Sequence, residues 1–141
     1  MLVLEADDDV APPCFARQPR QRVDDAIQAL LQQRDAMVVM PTGSGKSLIY
    51  QLPAQLLPGL TVVVSPLIAL MKDQQDKLAA SGLEPLAMHS HLSAEEVRET
   101  NRRLDEGDGN ILYLTPERFK DREFFELLAD ETRIPFVETA D

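Results

Sequence analysis

Val38-Val39-Met40-Pro41-Thr42-Gly43-Ser44-Gly45-Lys46-Ser47 is an apolar run that turns through two glycines into Lys-Ser, and its reading decides the fold. Residues 36–40 read as a short buried strand and residues 47–57 as a helix, which Pro53 is expected to kink because it withholds a backbone N–H. A strand, a glycine turn and a helix with Gly-Lys-Ser at the junction form an arrangement that cradles phosphate. Gly43 and Gly45 let successive N–H groups turn inward around an oxyanion. Lys46 is placed to reach the β- and γ-phosphates, and the Ser47 hydroxyl to ligate Mg²⁺. The strict phosphate-loop pattern has glycine where Met40 stands, but that position lies at the strand end, where an apolar side chain can still pack. Thr42, Gly43, Ser44, Gly45, Lys46 and Ser47 are therefore the candidate nucleotide and Mg²⁺ site, with Lys46 the catalytic candidate.

Outward from the loop the same design recurs. Val23, Ala26, Ile27, Leu30 and Leu31 fall at helical spacing and mark a core-facing stripe before the loop. After it, Thr61-Val62-Val63-Val64 is β-branched throughout, which suits a strand covered on both faces of a parallel sheet. Ser65-Pro66 then reads as cap and first residue of a helix to about Ala80. Residues 86–88 read as a brief strand. Ser93-Ala94-Glu95-Glu96 is a capping box opening a polar helix to about Glu106. Residues 110–114 form another strand, Thr115-Pro116 repeats the cap-and-proline device ahead of a helix through Leu128, and residues 134–137 suggest a last strand. Strands alternating with helices predict an α/β fold with a mainly parallel sheet. In such a sheet the turns at 41–45, 65–66 and 115–116 share the carboxyl edge, where open α/β sheets bind ligands. Each offers backbone N–H groups and the positive end of a helix dipole to an anion, although Ser-Pro and Thr-Pro also open ordinary helices.

The bulk numbers bound the function. A chain of 141 residues suits one compact domain, and the absence of an eighteen-residue apolar run excludes a helical membrane span. The acidic first ten residues lack the order of a secretory signal, and one cysteine, Cys14, excludes an internal disulfide; a reducing cytoplasmic setting is expected. A formal net charge of −10 lowers nonspecific affinity for nucleic acid, yet a groove needs only a few local donors. His89 and His91, two apart, would face opposite ways on a strand, and Phe119, Phe124 and Phe125 are expected to pack beneath the last helix.

Val38 to Ala54, VVMPTGSGKSLIYQLPA, resembles the first motif of RecQ-type DNA helicases, and VVVSPLIALMKDQ (62–74) is similar to motif Ia of that family. LYLTPERF (112–119) resembles motif Ib, and Met88-His89-Ser90-His91-Leu92-Ser93 resembles a family segment with asparagine at the place of His89. The resemblance covers residues 21 to 119. It implies a P-loop, RecA-like three-layer fold that is incomplete, with 1–20 a loose N-terminal arm and 21–141 part of the first of two motor domains. It also implies ATP with Mg²⁺ as cofactors and single-stranded or forked DNA as partner, in 3′-to-5′ unwinding for repair or recombination. The second RecA-like domain is then expected in a longer parent, cytoplasmic and nucleoid-associated if bacterial. By that resemblance Ser65 and Pro66 begin one strand-tracking helix, with Lys72 further along, and Thr115 and Pro116 begin the other.

The departures from the family pattern matter as much. An adenine-sensing segment resembles Phe15-Ala16-Arg17-Gln18-Pro19-Arg20-Gln21, which makes Gln21 the adenine candidate, although Gln21 stands two residues farther from Phe15 than the pattern has it. The Asp-Glu-Ala-His motif is due at 139–141, where the chain reads Thr139-Ala140-Asp141; Asp141 is the candidate metal-side acid, and Glu138 and Thr139 are poor choices for a buried strand before it. Without the glutamate of that motif and an arginine finger from the second motor, binding without efficient turnover is expected. Two other readings stay open: another superfamily 2 class such as an RNA helicase, and a truncated or recruited nucleotide-binding module with no enzymatic role.

Overall fold

A computed structural model describes residues 2–5, 19–41, 43–131 and 136–140. The elements in chain order are β1 (Leu2–Glu5), α1 (Pro19–Leu31), β2 (Met37–Met40), α2 (Lys46–Leu56), β3 (Thr61–Val64), α3 (Ile68–Ala80), β4 (Leu86–Met88), α4 (Ala94–Asp105) and β5 (Ile111–Leu114). A 3₁₀ turn (Pro116–Lys120), α5 (Arg122–Glu131) and β6 (Phe136–Ala140) complete them. Six strands make one sheet in the order β2-β1-β6-β3-β5-β4, and every neighbouring pair is parallel.

The period-two pattern of the strands sorts the core into layers. Val63, Ala87, Ile111 and Tyr113 face one way and bury Tyr50 and Ala54 of α2 with Met71 and Leu78 of α3. Val62, Val64, Leu86, Met88, Leu112 and Leu114 face the other way, onto Leu104 of α4 and Phe124 and Leu128 of α5. Helices on both faces of a parallel sheet give the three-layer α/β architecture expected. The stripe Val23, Ala26, Ile27 and Leu30 closes α1 over Val38, Met40 and Ile49. No helix among the described residues is long and apolar enough to cross a membrane.

Several expectations need correction. Leu2–Glu5, assigned to a loose arm, is a strand bonded on both sides, to β2 and to β6; four residues are too few to show a period in the sequence. The helix after Ser65-Pro66 starts at Ile68 with Leu67 as its N-cap, two residues later than the sequence implied, because the Leu67 N–H donates to Ser65 Oγ at 3.2 Å and holds a turn there. Thr115-Pro116 opens a five-residue 3₁₀ turn rather than α5 itself, which begins after Asp121, whose Oδ1 accepts from the Phe124 N–H. His89 and His91 follow β4 rather than lie on it, so their rings meet edge-on at 6.2 Å. Phe124 is buried as expected, but Phe125 is 47% exposed, with its ring edge against Phe119. The last strand lies two to three residues later than expected.

Candidate nucleotide and strand-binding edge

The phosphate loop joins β2 to α2. Gly43 and Gly45 adopt φ of 77° and 87°, the left-handed region that side chains other than glycine enter at a cost. A Cβ at either place would meet nothing within 4 Å, so these glycines answer to backbone conformation and not to crowding. Inside the turn, the Ser44 N–H and Oγ both donate to the Pro41 carbonyl. Met40, standing at the pattern's glycine position, is 1% exposed and packs with Ile49, as its strand-end place suggested. Gly45 is the N-cap of α2 and supplies no side-chain acceptor, and the Leu48 N–H donates to its carbonyl, so the positive end of the helix dipole points at the loop. Lys46 is half-buried, and its Nζ donates to the Met40 carbonyl at 3.2 Å, which folds the ammonium back over the loop. Ser47 stands half-buried in the same first turn. Thr42 lies outside the described residues.

Gln21 is exposed in the first turn of α1, which packs against α2. Its neighbour Arg22 donates from Nη1 to the Val39 carbonyl at 3.5 Å, bringing the start of α1 beside the strand that feeds the loop. Asp141 lies outside the described residues, as do Phe15 and Arg17; β6, ending at Ala140, runs between β1 and β3, a central place despite Glu138 and Thr139.

The other two turns lie side by side, because β3 and β5 are neighbours with Val64 opposite Leu114. Ser65 is 2% exposed and its N–H donates to the Leu114 carbonyl; Thr115 is 1% exposed and its N–H donates to the Met88 carbonyl. Pro66 and Pro116 are exposed, as is Lys72 in the second turn of α3. α3 begins with no side-chain cap, unlike α4, whose Ser93–Glu96 capping box occupies its own first donors. The 3₁₀ turn differs again: the Glu117 carboxyl is held below the usual range chiefly by its own backbone N–H. An anion arriving there competes with Glu117, and the start of α3 is the freer of the two. Strands β1 and β6 separate the phosphate loop from these turns; three strand spacings put the two sites about 14 Å apart along one edge.

Three groups that sequence reasoning passed over also line this region. Gln51 Nε2 donates to Gln74 Oε1 at 2.8 Å between α2 and α3. Tyr50 sets its ring edge-on to Tyr113, and Arg118 Nη2 lies 2.9 Å from Met88 Sδ. The signal for Gln74 was present: it falls three residues after Met71 and four before Leu78, a polar residue on a buried stripe.

Comparison with known proteins identifies the family. A family model described as DEAD/DEAH box helicase matches residues 20–134. The ATP-dependent DNA helicase RecQ of Haemophilus influenzae is 44% identical over 110 residues, which are 78% of this chain and 18% of that protein. The Bacillus subtilis protein of the same name is 42% identical over 77% of this chain and 19% of its own length. The ATP-dependent DNA helicase Q-like 5 of Arabidopsis thaliana is 45% identical over 79% of this chain and 12% of its own length. The chain thus spans about a fifth or less of the length of these curated relatives.

Proposed function

Because the chain belongs to the DEAD/DEAH box helicase family, we propose that it is the ATP-binding part of an ATP-dependent DNA helicase of the RecQ type. The observation that carries this reading is the phosphate loop itself. Two left-handed glycines deliver Lys46 and Ser47 to the start of a helix that has no side-chain cap. A triphosphate fits these donors: loop N–H groups and Lys46 Nζ neutralise its oxygens, which requires the ammonium to leave the Met40 carbonyl. Ser47 would hold Mg²⁺, which would supply charge neutralisation for the phosphates. Thr42 joins the loop contacts, and Gln21, on the helix beside the loop, reads the adenine.

Single-stranded DNA runs along the same edge, with its backbone on the uncapped start of α3 after Ser65-Pro66, on Lys72, and on Thr115-Pro116. Reading phosphates through amides and few cations suits a chain of net charge −10. By the same reading this chain binds both ligands without efficient turnover, with Asp141 the candidate acid for the metal side. Unwinding, its 3′-to-5′ direction, a role in repair or recombination, and a cytoplasmic or nucleoid setting belong to a longer parent with a second motor domain.

Calorimetry of the chain with Mg-ATP tests the reading. Heat of binding is expected with the wild type and its loss with Lys46→Ala, while silence in both refutes it. A single-stranded DNA oligonucleotide is expected to bind in preference to RNA of the same sequence; the reverse preference would place the chain among RNA helicases.

A further inference from the structure

The phosphate loop and the strand-binding turns lie on one edge but are separated by two strands, so any influence of one on the other has to pass through what touches both. Two consecutive residues of α2 do. Gln51, five residues and roughly 7.5 Å along the axis from Lys46, donates to Gln74 of α3 at 2.8 Å. Tyr50 meets Tyr113 of β5 with ring centroids 6.4 Å apart and planes at 80°, and Tyr113 stands two residues before Thr115. One turn of the nucleotide-binding helix therefore reaches both elements that carry the strand-binding turns.

The two contacts differ in kind. The tyrosines belong to the buried cluster under α2 and α3, and burial raises both hydroxyls above their ordinary range and keeps them neutral. Dense packing of this sort transmits position but has no second arrangement. The glutamine pair is half-buried and joins two long, uncharged side chains, each able to turn its amide and find another partner when its helix slides. A hydrogen bond that exists in one helix register and not in a neighbouring one is a two-state element, which coupling between sites requires.

Resting on the functional reading above, we propose that the Gln51–Gln74 contact is the positioning link by which nucleotide occupancy at Lys46 sets the affinity of α3 for a DNA strand. It touches neither ligand. When phosphates draw Lys46 and the first turn of α2 toward the loop, Gln51 moves with the helix, and the bond to Gln74 carries α3 and its uncapped start along. Linkage makes the effect reciprocal: bound strand changes nucleotide affinity by the same factor.

The test measures the affinity of the chain for a fluorescent oligothymidylate with and without saturating Mg²⁺ and a non-hydrolysable ATP analogue. The ratio of the two dissociation constants is the coupling factor. A wild-type factor of at least about fivefold is expected, falling to near one in Gln51→Leu and in Gln74→Leu. Each single-ligand affinity should stay within about twofold, and the double variant should lose no more than either single one. Gln51→Glu, which accepts from Gln74 once that amide turns over, is expected to regain the factor and guards against a leucine variant that folds poorly. Leucine variants that keep the wild-type factor overturn the inference, as does a wild type that binds both ligands independently. A wild type that binds neither ligand overturns the functional reading itself.

Discussion

Gly45→Ala separates the stability of the phosphate loop from its grip. The residue has φ of 87° and ψ of 21°, and a Cβ there would touch nothing within 4 Å. The penalty is therefore conformational only, about 1–2 kcal/mol for alanine in the left-handed region. Reduced freedom of the unfolded chain returns about 0.4–1 kcal/mol of this. A net loss of about 1 kcal/mol lowers the Tm of a chain this size by roughly 3–5 °C. The effect on ligand should be larger. Relaxing the turn swings a loop N–H away from the phosphate site, and one charge-assisted hydrogen bond is worth about 1.5–3 kcal/mol, a factor of roughly ten or more in Kd. At a ligand concentration that gives the wild type about 2.7 kcal/mol of stabilisation, a variant tenfold weaker gains only about 1.4 kcal/mol. Thermal melts with and without Mg-ATP read both quantities. A variant that retains the full nucleotide-dependent rise would refute the claim that this left-handed turn makes the site. A fall of more than about 10 °C without ligand would demand a steric clash that the structure does not contain.

Three other outcomes follow from particular contacts. Lys72→Ala should weaken single-strand binding at low salt and reduce the slope of log K against log[salt] by about 0.7, as for one lost phosphate contact; an unchanged slope would remove Lys72 from the strand path. Leu112→Ala, at a position with 0% exposure under α4 and α5, should cost about 2–5 kcal/mol in denaturant melts, and a cost under 1 kcal/mol would contradict the packing described. The Glu96 carboxyl is held below its ordinary range, chiefly by the Ser93 backbone N–H of the capping box and then by the Ser93 side chain. A depressed pKa contributes stability above the unfolded value and loses it as pH falls through the folded one. The stability gap between wild type and Glu96→Gln should therefore be present near neutral pH and close in acid, and a gap independent of pH would exclude the box as its source.

What the sequence determined by itself was local. The glycine turn was legible because left-handed φ needs glycine and a following Lys-Ser has few other uses, and the Ser93–Glu96 box because its reciprocal bonds span three residues. β3 and the stripe of α1 could be read because burial on two faces or one leaves a run or a period in the residue types. The tertiary structure decided what no period records: that Leu2–Glu5 enters the sheet, that β6 runs beside it, and that two strands therefore stand between the glycine loop at 41–45 and the turns at 65–66 and 115–116. It also decided that Gln51 meets Gln74 and that His89 meets His91. Strand order and side-chain pairing arise from contacts between residues far apart in the chain, whose energies depend on packing rather than on neighbours in sequence. A short segment such as Leu2–Glu5 carries too little pattern of its own to announce where it will dock.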